Sequence, residues 1–345
     1  MSERIAFVFP GQGSQTVGMG ADLAKESDAA RVVFQSADAA LGFSLSTLCF
    51  EGPEAELKAT INAQPAITTV SLAALAALRA ALGQTSTDVD TSISRPPWPD
   101  FVAGHSVGEY SALISAGAVT VANGLRLIRE RGRLMHHEGT VCPGGMAAVL
   151  GLDVAQLTSI CAQAEAYVTK QANLPIHRGA GHVVVANDNA PGQVVLSGER
   201  NALERAMELA REAGAKRVIP LTVSGAFHSP VMAPAAPLLR NAIMAASVHD
   251  ATVPLISNIM ARPLTEATDL HDELATQIAS PVQWTRSIEW LVFEGKVTTF
   301  VEIGGGQVLA GLIKRIVKGV TILNVGTAAE AASTAQALRE RGFGA

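Results

Sequence analysis

Phe101-Val102-Ala103-Gly104-His105-Ser106-Val107-Gly108-Glu109-Tyr110 is the stretch that decides the fold. An apolar run enters Gly-x-Ser-x-Gly, and Ser111 to Gly117 then reads as helix. This grammar puts a serine at the apex of a sharp strand-to-helix turn, in a strained backbone conformation. Glycines two residues to either side let strand and helix approach where a Cβ would collide. The helix N-terminus beyond the serine aims backbone N–H groups at any oxyanion formed there. Gly-x-Ser-x-Gly also occurs as an ordinary glycine-rich turn. The strand before it and the helix after it favour a nucleophile at Ser106. Neighbouring side chains on such a turn diverge, so His105 is expected to pack or orient the loop, not to act as its base.

Upstream, Ile5 to Phe9 reads as a first strand emptying into Pro10-Gly11-Gln12-Gly13-Ser14-Gln15. Such a turn belongs at the carboxyl end of a sheet, where open α/β sheets bind ligands. It lacks the GxGxxG spacing, and no acidic residue follows in a βαβ unit, so a dinucleotide site is excluded. It is either a tight turn or a place where the Gln12 N–H lines an oxyanion hole. Residues 21–82 read as helices, the clearest from Pro65 to Leu82 with proline at the favoured first position. Gly83 to Asp100 is polar and rich in proline, and is expected to be an exposed loop.

Downstream, Val121 to about Glu138 is a helix whose apolar stripe is Leu127, Ile128, Leu134 and Met135. Arg131 lies three or four residues from each of these, on the core face, whereas Arg126, Arg129 and Arg133 face the polar side. A buried guanidinium needs an anion, and its planar fork suits a carboxylate. Spacing leaves open whether that carboxylate belongs to the protein or to a ligand. From Gly144 to Leu221 the pattern changes. Strands at Met146–Gly151, His182–Ala186, Gln193–Ser197 and Lys216–Leu221, with helices at Val154–Glu165 and Asn201–Ala213 and a turn at Asn187–Gly192, spell β-α-β-β-α-β. That order is the ferredoxin-like split unit. An insert of this kind leaves a cleft beside the main unit, a usual place for a substrate.

Ser224-Gly225-Ala226-Phe227-His228-Ser229-Pro230 sets a histidine on a rigid corner before a helix, Val231 to Ala246. His228 is the best candidate for a general base, because a serine needs a partner. Asn258 follows a strand, Val253 to Ser257, and Ser280-Pro281-Val282-Gln283-Trp284 joins two helices. A strand, Phe300 to Ile303, enters Gly304-Gly305-Gly306-Gln307, a weak phosphate signal without a following Lys-Ser/Thr. A helix to Val317 and a last strand, Val320 to Asn324, complete the pattern.

The 345 residues are 48% apolar and only 17% charged, which suits a well-buried α/β protein. A net charge of −5 gives no reason to expect nucleic acid or an anionic membrane as partner. Cys49, Cys142 and Cys161 form no CxxC, so no zinc site or disulfide framework is indicated, and three separate thiols fit a reducing cytoplasm. The apolar runs Ile5–Phe9 and Val70–Leu82 are too short for a signal segment or a bilayer span. A soluble, cytoplasmic protein is expected.

With these pieces assembled, the chain resembles the malonyl-CoA:acyl carrier protein transacylases, the acyltransferase family of fatty acid and polyketide synthesis. The resemblance runs from about residue 4 to 325. It rests on Phe9-Pro10-Gly11-Gln12-Gly13-Ser14-Gln15, Gly104 to Tyr110, Arg131 in its Arg-Gly context, Asn189-Ala190-Pro191-Gly192-Gln193, Ala226-Phe227-His228-Ser229, Pro281-Val282-Gln283-Trp284 and Glu302-Ile303-Gly304. It implies an α/β fold: a hydrolase-like core with a mostly parallel sheet (1–140 and 222–345), interrupted by a ferredoxin-like α+β subdomain (141–221).

Carried over by position, Ser106 is the nucleophile and His228 its base, with the backbone N–H groups of Gln12 and Val107 as oxyanion hole. Arg131 holds the free malonyl carboxylate. The main-chain carbonyl of Gln283 orients the imidazole in place of a triad carboxylate, and Phe227 and Asn189 support the site. The resemblance implies malonyl-CoA and phosphopantetheinylated acyl carrier protein as substrates, a malonyl-serine intermediate, no bound cofactor or metal, and a monomer. Phe227 is the residue associated with malonyl over methylmalonyl. Val107, where many members have leucine, is less telling. Gly305 departs from a common proline, and the loops at 84–100 and 172–182 look long. Rival readings are a serine thioesterase or hydrolase, an acyltransferase for another acyl-CoA such as methylmalonyl-CoA, and a silent scaffold. Lys314, Arg315 and Lys318 are either a landing patch for an acidic carrier or a solvated helix face. The pathway, fatty acid or polyketide, stays open.

Overall fold

The computed structural model describes residues 3–84, 86, 88–94, 99–171 and 181–343. The strands are β1 (Ile5–Phe9), β2 (Phe101–Gly104), β3 (Gly144–Leu150), β4 (Val183–Ala190), β5 (Gln193–Glu199), β6 (Arg217–Pro220), β7 (Leu255–Ile256), β8 (Pro263–Leu264), β9 (Thr299–Ile303) and β10 (Thr321–Val325). They form two sheets. In the larger, the order is β10-β9-β1-β2-β7-β8, parallel from β10 to β7 and closed by the antiparallel β8.

β1, β2 and β9 are buried throughout because helices cover both faces, as a parallel sheet requires. The pleat sorts their residues. Ile5, Phe7 and Phe9 pack with the helices Thr60–Ala81 and Val121–Val141. Ala6 and Val8 pack with Trp284, Ile288, Leu309 and Ile313 of the helices Trp284–Phe293 and Val308–Ile316. Burying each large apolar side chain contributes roughly 2–3 kcal/mol. The register pairs Phe9 with Gly104, so the loop after β1 and the elbow after β2 leave the sheet side by side. This pairing positions the site.

The smaller sheet is antiparallel, ordered β6-β3-β5-β4, and packs its apolar face on the helices Val154–Gln171 and Arg200–Glu212. That spatial order is the one the ferredoxin-like split unit has. The expected fold class therefore holds.

Several element expectations need correction. The helix expected from Pro65 begins at Thr60 and carries Pro65 inside it. Proline forfeits one intrahelical bond. The turn before it is held by close backbone packing: a Cβ on Gly132 of the crossing helix would lie 2.9 Å from the Thr60 carbonyl oxygen. The full 22-residue helix is long and apolar enough to cross a membrane, but nearly all of it lies in the core. The turn expected from Asn187 is instead the end of β4. Two register shifts bend the strand, and Ala186 and Asp188 exchange backbone hydrogen bonds with Val282 (2.8 and 2.9 Å). The helix expected from Val231 starts as a 3-10 turn, Pro230–Ala235, because Pro234 and Pro237 lack amide hydrogens, and becomes α-helical over Ala236–Ala245. A short helix, Val89–Ser94, interrupts the loop expected at 84–100, and the rest of the long-loop expectations at 84–100 and 172–182 falls largely outside the described residues.

Candidate active site

The elbow has the strain its glycines imply. Ser106 sits at φ 53, a left-handed conformation that costs a non-glycine residue about 1–2 kcal/mol. A Cβ on Gly104 would fall 1.9 Å from the Gly108 carbonyl carbon, and one on Gly108 would fall 2.1 Å from the Phe9 oxygen, so neither position accepts a side chain. His228 is also left-handed, at φ 57, and its imidazole Nε2 lies 2.6 Å from Ser106 Oγ. Its Nδ1 faces two main-chain carbonyls, Gln277 at 3.0 Å and Ser280 at 3.1 Å. Both are pure acceptors, so Nδ1 carries the hydrogen and Nε2 is free to accept from the serine. Burial, with Arg131 close by, pushes the imidazole from an ordinary 6.5 down to about 3, which keeps it neutral.

The orienting carbonyl was expected at Gln283, and this is corrected. The Gln283 oxygen accepts from Ser287 Oγ (3.0 Å) in the first turn of its own helix, and its N–H donates to the Asn258 carbonyl (2.7 Å). Gln277 and Ser280 take its place because the preceding helix, Ala267–Gln277, ends beside the imidazole, and the turn after it brings a second carbonyl to the same ring nitrogen.

Gln12 lines the cleft, and Val107 is buried at the start of the elbow helix, Gly108–Ser115. Among the described residues, neither backbone N–H donates to a protein acceptor. The Ser106 N–H, by contrast, is taken by Asn258 Oδ1 at 2.8 Å. Phe227 is buried along the cleft wall. Asn189 sits on the opposite wall, its Oδ1 2.7 Å from His105 Nε2, and the His105 ring meets the edge of Trp284. The cleft holds about 420 Å³, with Met135, Met146, Val195, Leu221 and Val223 on its apolar walls.

Arg131 is 1% exposed. Its guanidinium donates from Nη1 to Gln64 Oε1 (2.8 Å) and from Nη2 to Gln277 Oε1 (2.7 Å) and Ser106 Oγ (3.3 Å). Nε has no partner among the described residues, and no carboxylate there forms an ion pair with this arginine. Two neutral amides therefore hold a buried cation in place without neutralising it.

Four residues in this frame had no assigned role in the sequence. Gln64 lay just outside the helix as expected from Pro65. Gln277 and Asn258 bear polar groups that only the fold brings together, and Glu109 was quoted without a task. Glu109 is fully buried and accepts from Gln277 Nε2 (2.6 Å) and from the Asn258 N–H (2.8 Å) and Nδ2 (3.0 Å). Burial first, then the neighbouring Glu273, push its carboxyl well above the usual carboxylate range.

Comparison with known proteins places this geometry. The chain is 45% identical over 313 residues to the malonyl CoA-acyl carrier protein transacylase of Bacillus subtilis, covering 91% of this chain and 90% of that one. An acyl-carrier-protein-S-malonyltransferase structure from Bartonella henselae superposes with a TM-score of 0.86 at 41% identity, over 99% of this chain and 100% of that one. A solved complex of a type II PKS acyl-carrier protein with its malonyl-transacylase superposes at 0.84 with 34% identity, over 97% and 100%. The acyl transferase domain family matches residues 6–335. With that match over nearly the whole chain and relatives this similar, the chain belongs to the acyl transferase domain family.

Proposed function

We propose that this enzyme transfers the malonyl group from malonyl-CoA to the phosphopantetheine thiol of acyl carrier protein. The observation that carries the reading is Arg131: a buried cation, held by two neutral amides, 3.3 Å from the nucleophile oxygen. A diacid half-thioester bound with its carbonyl at Ser106 would bring its free carboxylate to that guanidinium.

His228 Nε2 takes the Ser106 proton as Oγ attacks the thioester carbonyl. The Gln12 and Val107 N–H groups receive the oxyanion, a contribution of roughly 3 kcal/mol per donor. The intermediate collapses, the C–S bond breaks, and His228 returns the proton to the departing coenzyme A thiolate. A malonyl ester remains on Ser106. The carrier thiol then gives its proton to His228 and attacks the ester, and Ser106 recovers its proton as it leaves (ping-pong). Phe227 crowds the α-carbon and favours malonyl over methylmalonyl. Asn189 steadies His105 beside the nucleophile.

In this reading residues 1–140 and 222–345 form the catalytic unit and 141–221 the insert that walls the cleft. The protein acts as a cytoplasmic monomer without a bound cofactor. The solved complex of a related transacylase with its carrier supports an acyl carrier protein as acceptor. Lys314, Arg315 and Lys318 are candidate contacts for it. Intact-mass measurement after mixing with malonyl-CoA tests the reading: wild type gains one malonyl group and Ser106→Ala gains none. Labelling that persists in the alanine variant would overturn it.

A further inference from the structure

We infer that Glu109 sets the acyl selectivity of the site without touching substrate, by fixing which way the side-chain amide of Gln277 faces. The inference rests on the reading above that Arg131 receives the substrate carboxylate. An amide has a donor end and an acceptor end of nearly equal size, so its orientation is decided by its partners. Gln277 Nε2 donates one hydrogen to Glu109 (2.6 Å) and the other to the Ser106 carbonyl (2.9 Å). With both hydrogens committed, Oε1 has to face Arg131 Nη2, 2.7 Å away. Reversing the amide would turn an NH2 group against the guanidinium and an oxygen against the Ser106 carbonyl.

Glu109 can hold this orientation because both its oxygens serve as acceptors. One receives the Asn258 backbone N–H and side-chain Nδ2, and the other receives Gln277. Behind it stands Glu273, which accepts from Ser257 Oγ (2.6 Å) and the Ile259 N–H (3.0 Å). Burial raises both carboxyls, and each stands close enough to the other that the two titrate as a pair. The selectivity consequence follows from charge. Gln277 offers Arg131 an oxygen without a negative charge, so the guanidinium is oriented and remains available to an anion.

Glu109→Gln is the discriminating substitution, since it keeps size and shape and replaces one acceptor oxygen with NH2. The Asn258 backbone N–H cannot turn away, so the new oxygen must face it and the new NH2 must face Gln277. Gln277 then flips and presents its own NH2 to Arg131. The experiment measures kcat and KM for malonyl-CoA and acetyl-CoA with wild type and variant, alongside thermal melting. The expected result is a rise of about tenfold or more in KM for malonyl-CoA, with kcat within about threefold and a malonyl-over-acetyl preference reduced about tenfold. An unchanged malonyl KM and preference, or a parallel loss with both substrates, would overturn the inference. A wild type that does not prefer malonyl would instead overturn the Arg131 reading beneath it. If Glu109→Gln does not fold, Gln277→Glu tests the same claim: its carboxylate has no hydrogens for Glu109 or the Ser106 carbonyl and pairs with Arg131 instead. Malonyl preference kept in that variant would also overturn the inference.

Discussion

Replacing Arg131 by alanine should separate malonyl transfer from general thioester chemistry. The guanidinium is 1% exposed, and its amide partners contribute orientation but no countercharge. A substrate carboxylate left buried without it loses the partner of a buried ion pair, which costs about 3–5 kcal/mol. At about 1.4 kcal/mol per decade, kcat/KM for malonyl-CoA falls by roughly two to four orders of magnitude. Acetyl-CoA brings no carboxylate, so it should change by less than about tenfold, and a gain is consistent because the unpaired cation is gone. Transfer to a phosphopantetheinylated carrier, followed with each coenzyme A thioester in parallel, reads both numbers. Equal losses for the two substrates in a variant that melts like wild type would refute the carboxylate-clamp argument.

The imidazole gives a pH prediction. His228 is held down to about 3 in the folded state against an ordinary 6.5, so Ser106 acylation should stay level as pH falls through about 6.5, read by rapid-quench mass spectrometry. A rate that halves near 6.5 would mean the base is not held neutral. The same shift has a stability cost: the unfolded imidazole takes up a proton that the folded one refuses, so this group lowers stability progressively as pH drops below about 6.5. Gly104→Ala should destabilise by at least about 3 kcal/mol in denaturant melts, because its Cβ meets backbone at 1.9 Å. A stable, active alanine variant would show that the elbow can open.

Much of the molecule was legible because local chemistry states it. The elbow follows from glycine spacing, the split unit from strand and helix order, and the inward turn of Arg131 from helical periodicity. The frame behind the nucleophile was not legible. Gln64, Glu109, Asn258 and Gln277 converge from four separate elements, and each is unremarkable in its own stretch. The error at Gln283 has the same origin. It lies in a motif that marks the loop, but the carbonyls reaching the imidazole come from the last residue of the helix before it and from the turn between them. Pro65 misled the helix start because tertiary packing at Gly132 compensated the lost bond. Asn187–Ala190 read as a turn by composition, while pairing with Val282 kept it extended.

That pairing has a mechanical meaning. Val282 is stitched to the bent end of β4, and two residues earlier in the same short loop the Ser280 carbonyl steadies the imidazole. Swinging the smaller sheet outward to widen the entrance would tug on the tether of the base. The wall of the cleft and the orientation of the base are thus joined through one short piece of backbone, from the β4 end to Ser280.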